Sequence, residues 1–134
     1  MSNIKLTELL PTNLNESVSP KVLDTYLKTI LWAESDETGI EYERGHQTNH
    51  FTKKALQTAM KDLKNFFKMA EKYLKPNDPS HEQVAEDFWL ARSGRSNGFW
   101  EGDYVNGEKL LAIAVKRFGE LDSFIDEKGY IDFK

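Results

Sequence analysis

The chain has 134 residues, the size of one ordinary domain, with 39% hydrophobic, 12% aromatic and 30% charged residues and a formal net charge of −4. It has no cysteine, which excludes a disulfide scaffold, thiolate-bound zinc or iron–sulfur, and thiol catalysis. No apolar run approaches the ~18 residues of a transmembrane helix and no apolar signal segment opens the chain, so the expectation is a soluble protein working in the cytoplasm, with no membrane partner.

The charge is segregated. Residues 1–50 carry a net −4, residues 51–75 a net +5 from 7 lysines against Asp62 and Glu71, and residues 76–134 a net −5. Overall acidity argues against sequence-blind coating of nucleic acid. The local basic block leaves a narrower contact with an anion open.

Residues 1–19 read as a flexible N-terminal arm: Ile4, Leu6, Leu9 and Leu10 are apolar, but Pro11, Asn13, Asn15 and Ser17 interrupt any long element. Residues 20–134 read as a single α+β domain. A helix starts at Ser19-Pro20, because Ser caps well and Pro at the first helical position loses no needed N–H. Val22, Leu23, Tyr26, Leu27, Ile30 and Leu31 recur at helical spacing, and Trp32-Ala33 complete the helix. Residues 40–51 are polar and aperiodic and read as an irregular connector.

The strongest pattern runs from Thr52 to Leu74. Ala55, Leu56, Ala59, Met60, Leu63, Phe66, Phe67, Ala70 and Leu74 form one apolar stripe. Lys54, Lys61, Lys64, Lys68, Lys72 and Lys75 gather on the opposite side, and Pro76 ends the helix.

Ser80 and Gln83 fit a capping box, so a short helix should start there. Phe88 to Arg92 suits helix or strand, and the reading is a helical turn or two leading into an extended segment. Ser93 to Gly98 is rich in turn formers, and Phe99-Trp100-Glu101 would return as a short strand. Glu108 to Phe118 is a third clear helix with Gly119 as its C-cap. Ser123-Phe124-Ile125 and Tyr130 to Phe133 flank Asp126 to Gly129 as a hairpin, with Gly129 at positive φ. The expected fold is α+β: three main helices packed on a small antiparallel sheet formed by the C-terminal half.

The run Asp87-Phe88-Trp89-Leu90-Ala91-Arg92-Ser93-Gly94-Arg95-Ser96-Asn97-Gly98-Phe99-Trp100-Glu101 resembles the D-F-W-L-T-R-N-G-H-G-A-G-F-W-D stretch of a family of small proteins encoded by bacteriophages and related mobile elements. Helices and loops on both sides agree in kind, so the resemblance spans roughly Val22 to Tyr130. It implies a phage or prophage origin and action in the bacterial host's cytoplasm, and brings no biochemical activity with it. Ala91, Ser93, Arg95 and Glu101 depart from the family's Thr, Asn, His and Asp. A guanidinium at 95 donates hydrogen bonds only, so any base or metal-ligand role of that histidine is lost here.

The segment Phe88 to Glu101 is the main candidate site. Arg92, Arg95, Asn97, Trp100 and Glu101 are the candidate binding residues: arginine forks onto phosphate or carboxylate, and an exposed tryptophan stacks on a base or a partner's side chain. The plainer reading is a core hairpin with buried aromatics and an Arg92–Glu101 pair. Lys61, Lys64, Lys68 and Lys72 could contact nucleic-acid phosphates, or simply be a solvated helix face. His46 and His50 have a zinc-compatible i, i+4 spacing, yet Gly45 and the polar context favour ordinary loop histidines. Glu101, Asp103 and Glu108 do not fit a calcium loop.

No nucleophile elbow, P-loop, dinucleotide fingerprint or zincin motif is present, so no catalytic residue, metal or cofactor is expected. The leading expectation is a non-enzymatic module that binds a host or phage macromolecule, a protein first, through the 92–101 loop. The alternative is a small enzyme or ligand binder acting on nucleotide or nucleic-acid phosphate, with Arg92 and Arg95 on the phosphate and Glu101 or Asp103 as base or metal ligand. An oligomeric assembly component is a third.

Overall fold

Ser19 opens the first helix as the sequence requires: its Oγ accepts the Val22 N–H at 3.3 Å, and Pro20 occupies the first turn. The structure is a computed structural model that describes residues 18–94, 98–100 and 103–134, with the backbone alone at Trp100. The expected arm therefore lies outside the described residues up to position 17. Val18 is fully buried in the core.

Helix α1 spans Pro20–Ala33 and buries Val22, Leu23, Tyr26, Leu27, Ile30 and Leu31. The chain then turns through a tight loop in which Asp36 Oδ1 accepts the N–H groups of Thr38 (2.8 Å) and Ile40 (3.1 Å). The connector is more ordered than its composition suggests, with single 3₁₀ turns at Tyr42–Arg44 and Thr48–His50. One turn is too short to show a period.

Helix α2, Lys53–Ala70, is capped by Thr52, whose Oγ1 accepts the Ala55 N–H at 3.0 Å, and a 3₁₀ turn at Glu71–Tyr73 prolongs it. Its eight buried residues are those of the apolar stripe up to Ala70.

Helix α3, His81–Arg92, corrects the sequence reading. Phe88 to Arg92 is helix, not an extended segment. Val84, Ala85, Asp87, Phe88, Trp89, Ala91 and Arg92 are all buried, and the outward face is a narrow strip of Glu82, Gln83 and Glu86 that gives way to Leu90, so no polar residue marks the period over Phe88 to Ala91. Gly98–Trp100 is likewise a 3₁₀ turn, not a strand. Helix α4, Gly107–Ala112, runs on as a π-helix over Ile113–Phe118. The Gly119 N–H reaches back five residues to the Ala114 carbonyl (3.1 Å), and Gly119 ends the helix at φ +66°.

Strands β1 (Ser123–Ile125) and β2 (Ile131–Phe133) pair antiparallel in the register Ser123–Phe133, Phe124–Asp132, Ile125–Ile131. Asp126 Oδ1 braces their turn, and Gly129 adopts φ +85°. The expected hairpin is thus present, and among the described residues the fold is α+β with four helices and a two-stranded sheet. The hairpin docks on the start of α2: Thr52 N–H donates to the Ile131 carbonyl (2.9 Å) and Thr52 Oγ1–H to Asp132 Oδ1 (3.0 Å).

An aromatic stack runs through the core. Phe66 of α2 lies face to face with Phe88 of α3 at 4.2 Å, with Tyr26 of α1 beyond Phe88 at 5.7 Å and Phe99 on the other side of Phe66 at 5.6 Å. No helix among the described residues is long and apolar enough to cross a membrane.

Candidate functional site: the junction of α3 and α4

Arg92 closes α3, and its side chain turns inward. It is 4% exposed. Nη1 donates to Asp62 Oδ2 on α2 (2.8 Å) and to the Tyr26 hydroxyl on α1 (3.2 Å). Nε donates to the Gly119 carbonyl (3.0 Å) and Nη2 to the Phe118 carbonyl (3.3 Å). The last carbonyls of a helix lack partners within it, and a cation there also meets the negative end of the helix dipole. One guanidinium thus satisfies the end of the π-helix and joins all four helices. The rings of Phe88 and Phe118 lie 5.2 and 5.8 Å from its central carbon. Burial opposes the charged form, but Tyr26 and Asp62 outweigh it and hold the group charged. Burial also pushes the Tyr26 hydroxyl up to about 12, so it stays a neutral hydrogen-bonding group.

The expectation that Arg92 contacts a partner is therefore corrected: the side chain is buried and four of its five N–H donors are taken up inside the chain. Its carboxylate partner is Asp62 rather than Glu101. The nucleotide alternative loses its first phosphate ligand for the same reason. Arg95, Asn97 and Glu101, and the side chain of Trp100, lie outside the described residues. Phe88, Trp89 and Phe99 belong to the core. The Trp89 indole N–H is satisfied by Glu34 Oε2 at 3.0 Å.

Two close approaches pack this region, Gly98 against α3 and Gly107 against Phe99. A Cβ on Gly98 would stand 2.6 Å from the Asp87 carbonyl oxygen, and one on Gly107 would run into the Phe99 carbonyl. Tyr104 reaches across to donate its hydroxyl to Asp87 Oδ2 at 2.7 Å, and Gln83 Nε2 donates to Oδ1 at 3.2 Å. Burial raises the Asp87 carboxyl to about 6 against the pull of these bonds. The Tyr104 hydroxyl is raised too, by burial and then by the Asp87 carboxylate.

A groove of about 590 Å³ opens beside this junction. Ala91, Arg92 and Gly94 form one wall, and Leu111, Val115 and Gly119 the other, with Glu108, Lys116 and Glu120 adding charge of both signs. Val115 is 47% exposed, unusual for a valine on a packed helix. Leu111 is partly buried against the core, whereas Val115, whose helical spacing reads equally as a buried face, is on the surface.

The other candidates resolve simply. His46 Nε2 and Nδ1 face the carbonyls of Gly129 (3.0 Å) and Tyr42 (3.2 Å), and His50 Nδ1 accepts the Gln47 N–H at 2.7 Å. His81 packs against Phe67, ring centroids 5.1 Å apart. Among the described residues no three His, Cys, Asp or Glu side chains group closely enough to hold a metal ion. Comparison with known protein families, curated proteins and solved structures found no match.

Proposed function

We propose that this chain is a non-enzymatic binding module that engages a host or phage protein at the α3–α4 junction, with the groove that Ala91, Gly94, Leu111 and Val115 line as its surface. The observation that carries the reading is the placement of Arg92. It fixes the end of α3 to the end of the π-helix, so the segment that leaves at Ser93 starts from a rigid base beside an open, partly apolar groove. The groove's volume falls in the range of sites that take a peptide side chain or small ligand. Arg92 then supports the surface, and Arg95, Asn97, Trp100 and Glu101 are proposed as its contacts. A phage origin and a bacterial cytoplasmic setting are proposed on the resemblance of Asp87 to Glu101 alone.

The test is to isolate what binds the tagged full-length chain in bacterial cells and reconstitute the purified pair. Val115→Asp and the pair Arg95→Ala with Trp100→Ala should each weaken that complex at least tenfold while the far-ultraviolet circular dichroism stays unchanged. A complex of undiminished affinity in both variants overturns the reading.

A further inference from the structure

Helix α2 carries its charge in an unusual way. Its only acidic residue, Asp62, turns toward the core and is consumed by Arg92. Its outward face holds Lys53, Lys54, Lys61 and Lys68, all exposed, with Lys64 half-buried, and Lys72 and Lys75 continue the run past the helix end. No ion pair among the described residues involves any of these lysines. Acidic groups stand beside only its C-terminal end: Glu71, just past the helix, and Asp78, whose Oδ2 accepts the Lys75 backbone N–H at 2.8 Å. An acidic protein therefore presents a cationic ridge along α2 whose lysines form no ion pair among the described residues.

We infer that this face of α2 is a contact for the phosphate backbone of nucleic acid, read without regard to base sequence. At 1.5 Å per residue, Lys54 to Lys68 covers about 21 Å, and the steps Lys61, Lys64, Lys68 are about 4.5 and 6 Å along the axis. That places several ammonium groups within reach of consecutive phosphates. Asn65 and Gln57 are exposed on the same face and can donate hydrogen bonds to phosphate oxygens. Two other anionic partners fit less well. A membrane-surface helix must insert an apolar face, and here that face is spent in the core on Leu56, Leu63, Phe66 and Phe67. A protein interface centres on a desolvated aromatic or aliphatic anchor, and the apolar groups beside the ridge, Met69, Tyr73 and Ile113, lie at its C-terminal end with Lys68 and Lys72 rather than along its length. A phosphate backbone asks only for charge and donors. The acidic remainder of the molecule would repel the strand elsewhere, which confines contact to this ridge and keeps it weak and salt-sensitive. This surface is separate from the α3–α4 groove, and neither proposal depends on the other.

The experiment is fluorescence anisotropy of a labelled mixed-sequence duplex of 20 base pairs titrated with the full chain across 25–200 mM salt. The expected result is binding whose log affinity falls linearly with log salt, by about 0.9 per phosphate contacted. The pair Lys61→Glu and Lys68→Glu should weaken binding at least tenfold and make the slope shallower by about 2. The pair Lys21→Glu and Lys128→Glu, the same charge change elsewhere, should cost far less. Circular dichroism confirms that both remain folded. Absence of binding at 25 mM salt overturns the inference, as does an equal loss in both pairs. Equal or tighter binding to phosphatidylserine vesicles or to polyglutamate at matched salt overturns it in favour of a lipid or acidic-protein partner.

Discussion

Arg92 Nη1 and Asp62 Oδ2 meet at 2.8 Å, with the arginine side chain 3% and the aspartate 19% exposed. The pair joins α3 to α2, and the rest of the guanidinium holds the Phe118 and Gly119 carbonyls. Removing one member of such a pair strands the other charge, which typically costs about 3–5 kcal/mol. Arg92→Ala should therefore lose about that much in urea unfolding. Arg92→Lys keeps a charge near Asp62 but has no fork to reach both carbonyls, and should lose about 2 kcal/mol. A loss under about 1 kcal/mol for Arg92→Ala would remove Arg92 from its place at the centre of the fold.

Gly107 and Gly98 are demanded by space rather than by backbone angle. A methyl group at 107 meets the Phe99 carbonyl and one at 98 meets the Asp87 backbone, neither of which is a flexible side-chain tip. Overpacking of this kind costs about 1–3 kcal/mol, and Gly107→Ala belongs at the upper end. Gly45 has open space around its Cβ position and an ordinary φ of −138°. Gly45→Ala should stay within about 0.5 kcal/mol of the parent. Thermal melts of the three variants decide the matter; equal effects would mean that Phe99 and Asp87 can give way.

Trp89 ties α3 to the end of α1 through its indole N–H and the Glu34 carboxylate. Glu34→Gln retains an acceptor oxygen and should cost less than about 1 kcal/mol. Glu34→Ala leaves a fully buried donor without this partner and should cost about 1–3 kcal/mol. Denaturant midpoints for the two variants provide the comparison. If both lose equally, the hydrogen bond contributes nothing specific.

These features differ in how far the sequence announces them. Helices α1 and α2 each bury one stripe, so their periods are legible, as are the Ser19 cap of α1, Gly119 and the Asp126–Gly129 turn, whereas the Thr52 cap of α2 is not read. Helix α3 is only half legible because its polar strip, Glu82, Gln83 and Glu86, stops before Phe88, and Phe88 to Ala91 offer no polar side to show a period. Arg92 reads in the sequence as a surface contact, whereas its side chain is buried. Its partners Asp62, Tyr26, Phe118 and Gly119 stand 26 to 66 positions away, and no local pattern announces them. One weak signal existed: Asp62 lies four residues before Phe66, at the margin of the apolar stripe and apart from the lysines. The π-helix has no marker in its residues, and its expanded turn is visible only in the backbone.

Asp87 gives the protein a pH dependence whose sign can be worked out. Burial raises its carboxyl to about 6, above the ordinary value near 3.8 that applies once the chain unfolds. Below about pH 4 both states hold the proton. Between about 4 and 6 only the folded state does, so the stability gained from protonation is lost as pH rises through that window. Above about 6 the folded chain bears the full cost of a buried carboxylate, offset in part by Tyr104 and Gln83. Asp87→Asn keeps an acceptor for the Tyr104 hydroxyl and cannot ionise. Relative to the parent, the variant should gain stability steadily from pH 4 to 6 and hold that gain at pH 7.5. Urea unfolding of both proteins at half-unit steps measures the difference. A gap that is flat with pH, or that runs the other way, would show that Asp87 is ionised as easily inside the fold as outside it.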